Sequence, residues 1–532
     1  MLIFLIFVID LRYNNGVKFS EMPIIGKLLK KTTELNYKRT AHKGLDYKDQ
    51  LKTLNKLLRM AAKTQFGFHH HFQQLLESPD MVEAFQQQVP ITDYELFYDR
   101  WLHRSIDGER DVAWPGVVKY YALSSGTTGS PSKRIPVTKQ MIRSFQRTSI
   151  KQFTSIAELN LPDAFYQKSF LAVGGSSKLE KVGNHIEGDL SGILKKHTSI
   201  VLLPLTKPDG ETAAIKDWNK KLDRMVEMAP SWDISTIAGV PSWCIMLMER
   251  IVAHYKVNNI HDIWPNLELY MHGGVYVEPY LSRLNKVCGR PIHTRNTYLA
   301  SEGYFAYQKH TASEGMQLLL KSGIFFEFVP FNRENFDESG NIKEGANALT
   351  INEVHPYEDY ALVISTNAGL WRYMIGDLVQ FTDVEQREIK ISGRIKQYLS
   401  LVGEHLSLDN INVAVQKASE ELGIDIPEFC LFADTEKQCH RWYFGSSEIL
   451  DGDKVMKTVD RILGELNDDY RAVRNYKTLN DPIVNCTSMK IFYDFMEAKG
   501  KLGSQNKFPR VMNKHQSTEW LLFISQFERA EF

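Results

Sequence analysis

Between about Leu45 and Gln88, apolar positions recur every three to four residues among Leu, Lys, Gln and Glu. That spacing predicts successive helices, each burying one face. From Tyr120 the pattern shortens. The apolar runs Phe170–Val173, Ile200–Leu203, Ile234–Ala238 and Leu267–Met271 lead into Gly174, Pro204, Gly239 and His272-Gly273-Gly274. The third of these runs is followed by a helical stretch from Ser242 to Tyr255. Strand, glycine turn and helix in this order predict an α/β sheet. Hairpin-like runs follow at Met316–Leu320, Ile324–Val329, Ala348–Val354 and Tyr360–Ser365, and they predict a β-rich subdomain packed beside the main sheet.

The texture changes again near Gly393. A helix at about Leu408 to Leu422 is followed by strands at Phe429–Ala433 and Arg441–Phe444 and a helix at about Asp453 to Leu466. A final strand and helix run from Ile483 to Lys499. The chain therefore divides into residues 1–21, an extension; 22–395, a large N-terminal α/β domain with mixed sheets; and 396–532, a small α+β C-terminal domain with its tail. The extension opens MLIFLIFVID, shorter than the roughly 20 residues that span a bilayer. It lacks the basic start and small-residue cleavage site of a secretory signal. Met22 begins MPIIGKLLKK, a better start for a folded chain.

A length of 532 residues exceeds what one hydrophobic core usually serves, which fits the division into two domains. Lysine plus arginine and aspartate plus glutamate both total 64, so no basic excess marks a nucleic-acid-binding chain. The five cysteines are scattered, without a C-x-x-C pair. They predict neither a disulfide framework nor a structural zinc site, and a reducing cytoplasm fits them. His69, His70 and His71 lie in a helical stretch, where neighbours point about 100° apart, too divergent to chelate one metal.

Four short motifs carry candidate chemistry. Ser124-Ser125-Gly126-Thr127-Thr128-Gly129-Ser130-Pro131-Ser132-Lys133 follows a short strand, Tyr120–Leu123. Glycines let the backbone curl so that its amides face an anion, and hydroxyls and Lys133 or Arg134 add donors and charge. It is not the P-loop pattern, because Pro131 and Ser132 stand where that pattern needs glycine and lysine. Asn296 to Gly303 offers Tyr298, which could stack on a ring, and Glu302, an oxygen ligand suited to Mg²⁺. Trp371-Arg372-Tyr373-Met374-Ile375-Gly376-Asp377 places an aspartate after a glycine turn, where it can accept hydrogen bonds from ribose hydroxyls. Ser392-Gly393-Arg394-Ile395-Lys396 supplies a basic pair at the domain join. Taken singly, the last three motifs are more often core or surface features than sites.

Their order is the layout of adenylate-forming enzymes, and the chain resembles one branch, the auxin-responsive (Gretchen Hagen) acyl-acid amido synthetases. The resemblance rests on Tyr298-Leu299-Ala300-Ser301-Glu302-Gly303-Tyr304-Phe305, on Trp371-Arg372-Tyr373 before Gly376-Asp377, and on Gly503-Ser504-Gln505-Asn506-Lys507-Phe508-Pro509-Arg510. It covers roughly Met22 to Arg510. It implies a large ATP- and acid-binding domain and a small mobile one that rotates between adenylation and transfer. ATP and Mg²⁺ would be required, with a small carboxylic acid and an amino acid as partners, no nucleic acid and no membrane insertion. Ser124, Ser125 and Thr128 would contact ATP phosphates. Tyr298 would lie near adenine or acid, Glu302 would ligate Mg²⁺, Asp377 would hold the ribose, and Arg394 the ribose or phosphate. Lys396 would lie at the hinge, and Lys507 would steady the α-phosphate. The glycine loop departs from this branch: Thr-Thr-Gly-Ser-Pro is closer to acyl-CoA ligases, which share the adenylation step. A non-catalytic binding protein on the same scaffold would be expected to have lost Glu302, Asp377 or Lys507.

Overall fold

The computed structural model describes residues 23–40, 46–124, 133–198, 203–274, 277–337, 340–395, 399, 401–402, 404, 406–503 and 507–528. The expected helices between Leu45 and Gln88 form at Tyr47–Ala61, Gln65–His69, Phe72–Leu75 and Met81–Gln88. The first opens on a capping box, with Asp46 accepting from the Lys48 amide and Asp49 reaching back to the cap. Its buried Leu54, Leu57, Leu58 and Ala61 follow the three-to-four spacing read from the sequence. Each buried leucine contributes about 1.5–3 kcal/mol. His70 is buried with Nδ1 3.0 Å from the Gln88 carbonyl oxygen, which accounts for one member of the histidine row without a metal.

The centre of the large domain is one eleven-stranded mixed sheet. Its order is Ile324–Pro330, Tyr360–Thr366, Tyr373–Asp383, Glu388–Arg394, Met316–Leu318, Gly303–Tyr307, His293–Ala300, Leu269–Gly273, Ile234–Gly239, Ser169–Val173 and Thr206–Lys207. The last five are mutually parallel and the first seven pair antiparallel. The strands read as a β-rich subdomain thus extend the main sheet. Two runs behave differently from the sequence reading. Ala348–Val354 forms no named strand; Leu349 bridges Phe328, and Thr350 closes a turn with Glu353. Ile200 lies outside the described residues, and Leu203–Leu205 is a 3-10 turn. A second sheet of four strands carries Tyr120–Ser124 and Lys133–Val137 as an antiparallel pair.

Trp371 and Arg372, part of the third motif, tie the N-terminal helices to the sheet. Trp371 is wholly buried against Phe66 and Phe72, and its indole donates to the Ala113 carbonyl at 3.0 Å. The Arg372 guanidinium bonds Glu327 at 3.0 Å and the Gln86 and Val89 carbonyls at 2.7 Å each. This buried network leaves Arg372 no part in binding a nucleotide.

After Arg394 the chain builds a three-stranded sheet, Glu428–Asp434, Cys439–Ser446 and Ile483–Ser488, with the first pair antiparallel and the second parallel. Alternation along the strands divides two cores. Leu431, Trp442 and Phe444 pack with Ile411, Val459 and Leu463 of the helices Leu408–Leu422 and Gly452–Leu466. Cys430, Phe432 and Tyr443 face the other way, onto Phe492, Phe495 and Trp520 of the helices Met489–Ala498 and Lys514–Glu528. Among the described residues no helix is long and apolar enough to cross a membrane.

Candidate active site

The parallel strands Ser169–Val173, Ile234–Gly239, Leu269–Gly273 and His293–Ala300 end at one edge of the sheet, where ligands of α/β folds bind. A cleft of about 1700 Å³ opens there between the sheet and the C-terminal domain. All four sequence motifs and the C-terminal lysine contribute residues to it.

His293–Ala300 turns directly into Gly303–Tyr307, with Ala300 opposite Gly303, so Ser301 and Glu302 form a tight connection facing the cleft. Tyr298, at 4% exposure, offers the cleft little ring surface. Its hydroxyl donates to Asp377 Oδ2 at 2.7 Å, and its ring stands edge-on to Phe305. Asp377 lies opposite Arg394 in the adjoining antiparallel pair, and the Arg394 guanidinium meets Asp377 Oδ1 at 2.9 Å. The aspartate is buried and Arg394 reaches solvent. The Asp377 charge raises the Arg394 pKa, so this cation stays charged throughout the working pH range.

Glu302 is buried, and that burial, reinforced by the nearby Asp377 charge, pushes its carboxyl up to about 7. A buried carboxylate beside another gains from a divalent cation. Among the described residues no group of three His, Cys, Asp or Glu side chains could hold a metal by itself. Mg²⁺ does not need one: a single carboxylate, water and the oxygens of a phosphate substrate complete its shell. The donor set therefore fits Mg²⁺ arriving with a nucleotide.

Ser124 closes its strand opposite Lys133, and that pair clamps the two ends of the glycine loop. Ser125 and Thr128 lie outside the described residues, as does Lys396. Of the two basic residues after the loop, Arg134 is bonded to Glu187 at 2.7 Å, whereas the Lys133 ammonium lies 5.1 Å from the Tyr94 ring centre beside the cleft.

Lys507 comes from the other domain. Its ammonium donates to the carbonyl of Gly274, one residue beyond the strand Leu269–Gly273. Its side chain is exposed to the solvent of the cleft, whose protein walls still strip part of its hydration. That desolvation, with the Arg394 charge, lowers its pKa to about 8. Gly274 has φ +86°, and a Cβ there would stand 2.8 Å from the lysine nitrogen. The positive φ favours glycine at 274, and a side chain there would push Lys507 from its place, a preference that Gly273-Gly274 signalled in the sequence only as a strand end. Tyr280, Glu428 and Arg510 also line the cleft and carried no separate signal, although Arg510 belongs to the C-terminal motif.

Family models match the chain in three consecutive parts: the GH3 family N-terminal domain over residues 47–222, its central domain over 317–394 and its C-terminal domain over 409–516. Among curated relatives, indole-3-acetic acid-amido synthetase GH3.4 of Arabidopsis thaliana is 25% identical over 280 residues, 48% of this chain and 45% of that one. Jasmonoyl–L-amino acid synthetase GH3.5 of Oryza sativa subsp. japonica is 25% identical over 282 residues, 48% of each chain. The chain spans about half the length of the curated relatives it matches. Among solved structures, GH3.15 acyl acid amido synthetase shares the fold with a TM-score of 0.71 and 16% identity, over 95% of this chain and 96% of that one. A 2-hydroxyisobutyryl-CoA ligase in its postadenylation state shares it with a TM-score of 0.58 and 13% identity, over 91% of each.

Proposed function

The chain belongs to the GH3 family, and from that membership we propose that it adenylates a carboxylic acid with ATP and passes the acyl group to an amino acid, releasing AMP and pyrophosphate. The observation that carries the reading is the meeting of Lys507, from the small C-terminal domain (residues 396–532), with Glu302, Asp377 and Arg394 of the large one (residues 22–395) in a single cleft. Carboxylate attack on an α-phosphate joins two anions, so the site must supply positive charge where negative charge develops. Lys507 is a cation that the small domain brings to the strand end at Gly274, and Arg394 is held in the cleft by Asp377. Ser124, Ser125 and Thr128 serve the phosphates, Tyr298 holds Asp377 in place, and Asp377 with Arg394 receives the ribose. Glu302 would hold Mg²⁺, which when bound supplies charge neutralisation at the phosphates. The second step needs amine attack on a good leaving group, which positioning alone can serve. All five cysteines are free, in keeping with a reducing cytoplasm.

The amino-acid acceptor follows the activities of the amido synthetases that the chain resembles. The test is mass spectrometry of products from ATP, Mg²⁺ and an acid panel, with either mixed amino acids or CoA supplied. An amide is expected. A thioester with CoA, and no amide, would make the chain an acyl-CoA ligase instead. For Glu302, replacement by alanine is expected to raise the magnesium concentration for half-maximal exchange by at least about tenfold, the loss of one anionic ligand. An unchanged magnesium titration would remove Glu302 from the metal site.

A further inference from the structure

Gly274 and Tyr280 of the large domain meet Lys507 and Arg510 of the small domain at two points. At one, the Lys507 ammonium donates to the Gly274 carbonyl. At the other, Arg510 Nη2 donates to the Tyr280 hydroxyl at 2.9 Å, and that hydroxyl donates onward to Glu428 Oε1 at 3.1 Å. The second point is the drier: Tyr280 is 3% exposed and Glu428 2% exposed.

Arg510 does not depend on Tyr280 for its own place. Its guanidinium donates to the Phe429 carbonyl at 3.0 Å and the Pro427 carbonyl at 2.8 Å, pairs with Glu428 at 3.1 Å and lies over the Phe429 ring. Its backbone is bonded to Leu431, with the Leu431 amide 2.8 Å from the Arg510 carbonyl. Arg510 and Glu428 are thus a preformed surface of the small domain. Tyr280 is equally fixed in the large domain, packed in the core that contains Val277 and Leu284. The hydroxyl has one lone pair and one proton aimed at two charged groups of the other domain. Lys507, by contrast, sits on a flexible four-carbon stem that cannot set its own position.

We propose that the Tyr280 hydroxyl is a positioning group: it sets the register of the two domains through Arg510 and Glu428 and so delivers Lys507 to the cleft. The proposal rests on the reading of that cleft as an adenylation site. Without the hydroxyl, Arg510 Nη2 would keep only its bond to the Pro427 carbonyl, Glu428 Oε1 would keep only the Tyr493 hydroxyl at 3.4 Å, and the Tyr280 side of both would be an apolar ring when the domains are together. Both would be hydrated when the domains part. The penalty therefore falls on one arrangement alone and shifts the population away from it.

The test is Tyr280→Phe, which keeps the ring and leaves the Arg510–Glu428 pair within its own domain. Acid-dependent ATP–pyrophosphate exchange is expected to slow about tenfold, the effect of one lost hydrogen bond to a charged group, while transfer from preformed acyl-adenylate changes less than about twofold. In a Lys507→Ala background Tyr280→Phe is expected to have no further effect on exchange. Equal slowing of both half-reactions, or a full tenfold loss again in the Lys507→Ala background, would overturn the proposal. An independent readout needs no activity: spin labels at exposed Cys486 and at Glu211→Cys report the distance between domains, the other four cysteines being buried. A second, longer population in Tyr280→Phe is expected, and identical distributions in the two proteins would overturn the proposal. If the wild-type protein exchanges pyrophosphate with no acid, the functional reading fails, and the distance measurement still decides the role of Tyr280.

Discussion

Lys507→Ala is expected to slow acid-dependent ATP–pyrophosphate exchange by about 10²–10³-fold, the usual loss when one preorganised charge-stabilising donor is removed. Transfer from preformed acyl-adenylate should be affected far less, because no new phosphate charge develops in that step. The geometry sets up this asymmetry. Lys507 reaches the cleft from the small domain and touches Gly274, while Glu302, Asp377 and Arg394 stay with the large domain. Stopped-flow or isotope-exchange measurement of the two half-reactions separates them, and equal damage to both would contradict the assignment. The lysine must be protonated to act. Its pKa is lowered to about 8 by desolvation inside the cleft and by the Arg394 charge, so it is charged below that value and loses its proton as pH rises through it. The kcat/KM for ATP in the wild-type protein is accordingly expected to fall above about pH 8, and Lys507→Arg should move that limb to higher pH. A flat profile through pH 9 would contradict the lysine's part in the rate.

Arg372→Ala is expected to destabilise the protein by about 3–5 kcal/mol, since it leaves the Glu327 carboxylate buried without its counter-charge. Glu327 is 0% exposed, and the Gln86 and Val89 carbonyls lose their donor as well. Urea denaturation checks the magnitude. The paired change Arg372→Met with Glu327→Leu should recover part of the loss, because it removes the stranded charge too. A loss below about 1 kcal/mol would show that water reaches Glu327 and that the network is not as closed as its burial indicates.

The two predictions mark where a motif in the sequence divides into different physical roles. Trp371-Arg372-Tyr373 and Gly376-Asp377 read as one continuous signal. In the fold, Arg372, at φ +39° just before the strand Tyr373–Asp383, bonds toward the N-terminal helices, and Asp377 within the strand faces the cleft. Periodicity alone could not divide the motif, since Arg372, a buried bend residue, and Asp377, a buried strand residue, are both polar groups that look alike in the sequence. Local patterns were otherwise informative. The helices from Tyr47, the parallel strands ending at Gly239 and Gly273, and the alternation of Leu431, Cys430, Trp442 and Tyr443 all follow spacing visible in the chain. Ala348–Val354 was apolar enough for a strand, but Glu353 accepts from the Thr350 amide and closes a turn instead.

What the sequence did not make legible is long-range. The hairpin strands join the main sheet through the pairing of Met316–Leu318 with Glu388–Arg394, some seventy positions apart, and no local pattern encodes such a partner. Gly274, Tyr280, Glu428 and Arg510 acquire meaning only when segments 148 to 233 positions apart meet. Glu302, Asp377 and Arg394 were recognisable because their motifs stand in a fixed order. The structure adds that Tyr298 serves Asp377 through its hydroxyl and has little ring surface to spare for a base or an acid.

The central claim is that this cleft joins a carboxylic acid to AMP, and ATP–pyrophosphate exchange without any acceptor tests it most directly. Aryl, indolyl and aliphatic acids should be supplied one at a time with Mg²⁺ to the folded protein. The account predicts exchange that depends on the acid and is lost in Lys507→Ala. Exchange with none of a broad panel, or acid-dependent exchange that persists undiminished in Lys507→Ala, would contradict it.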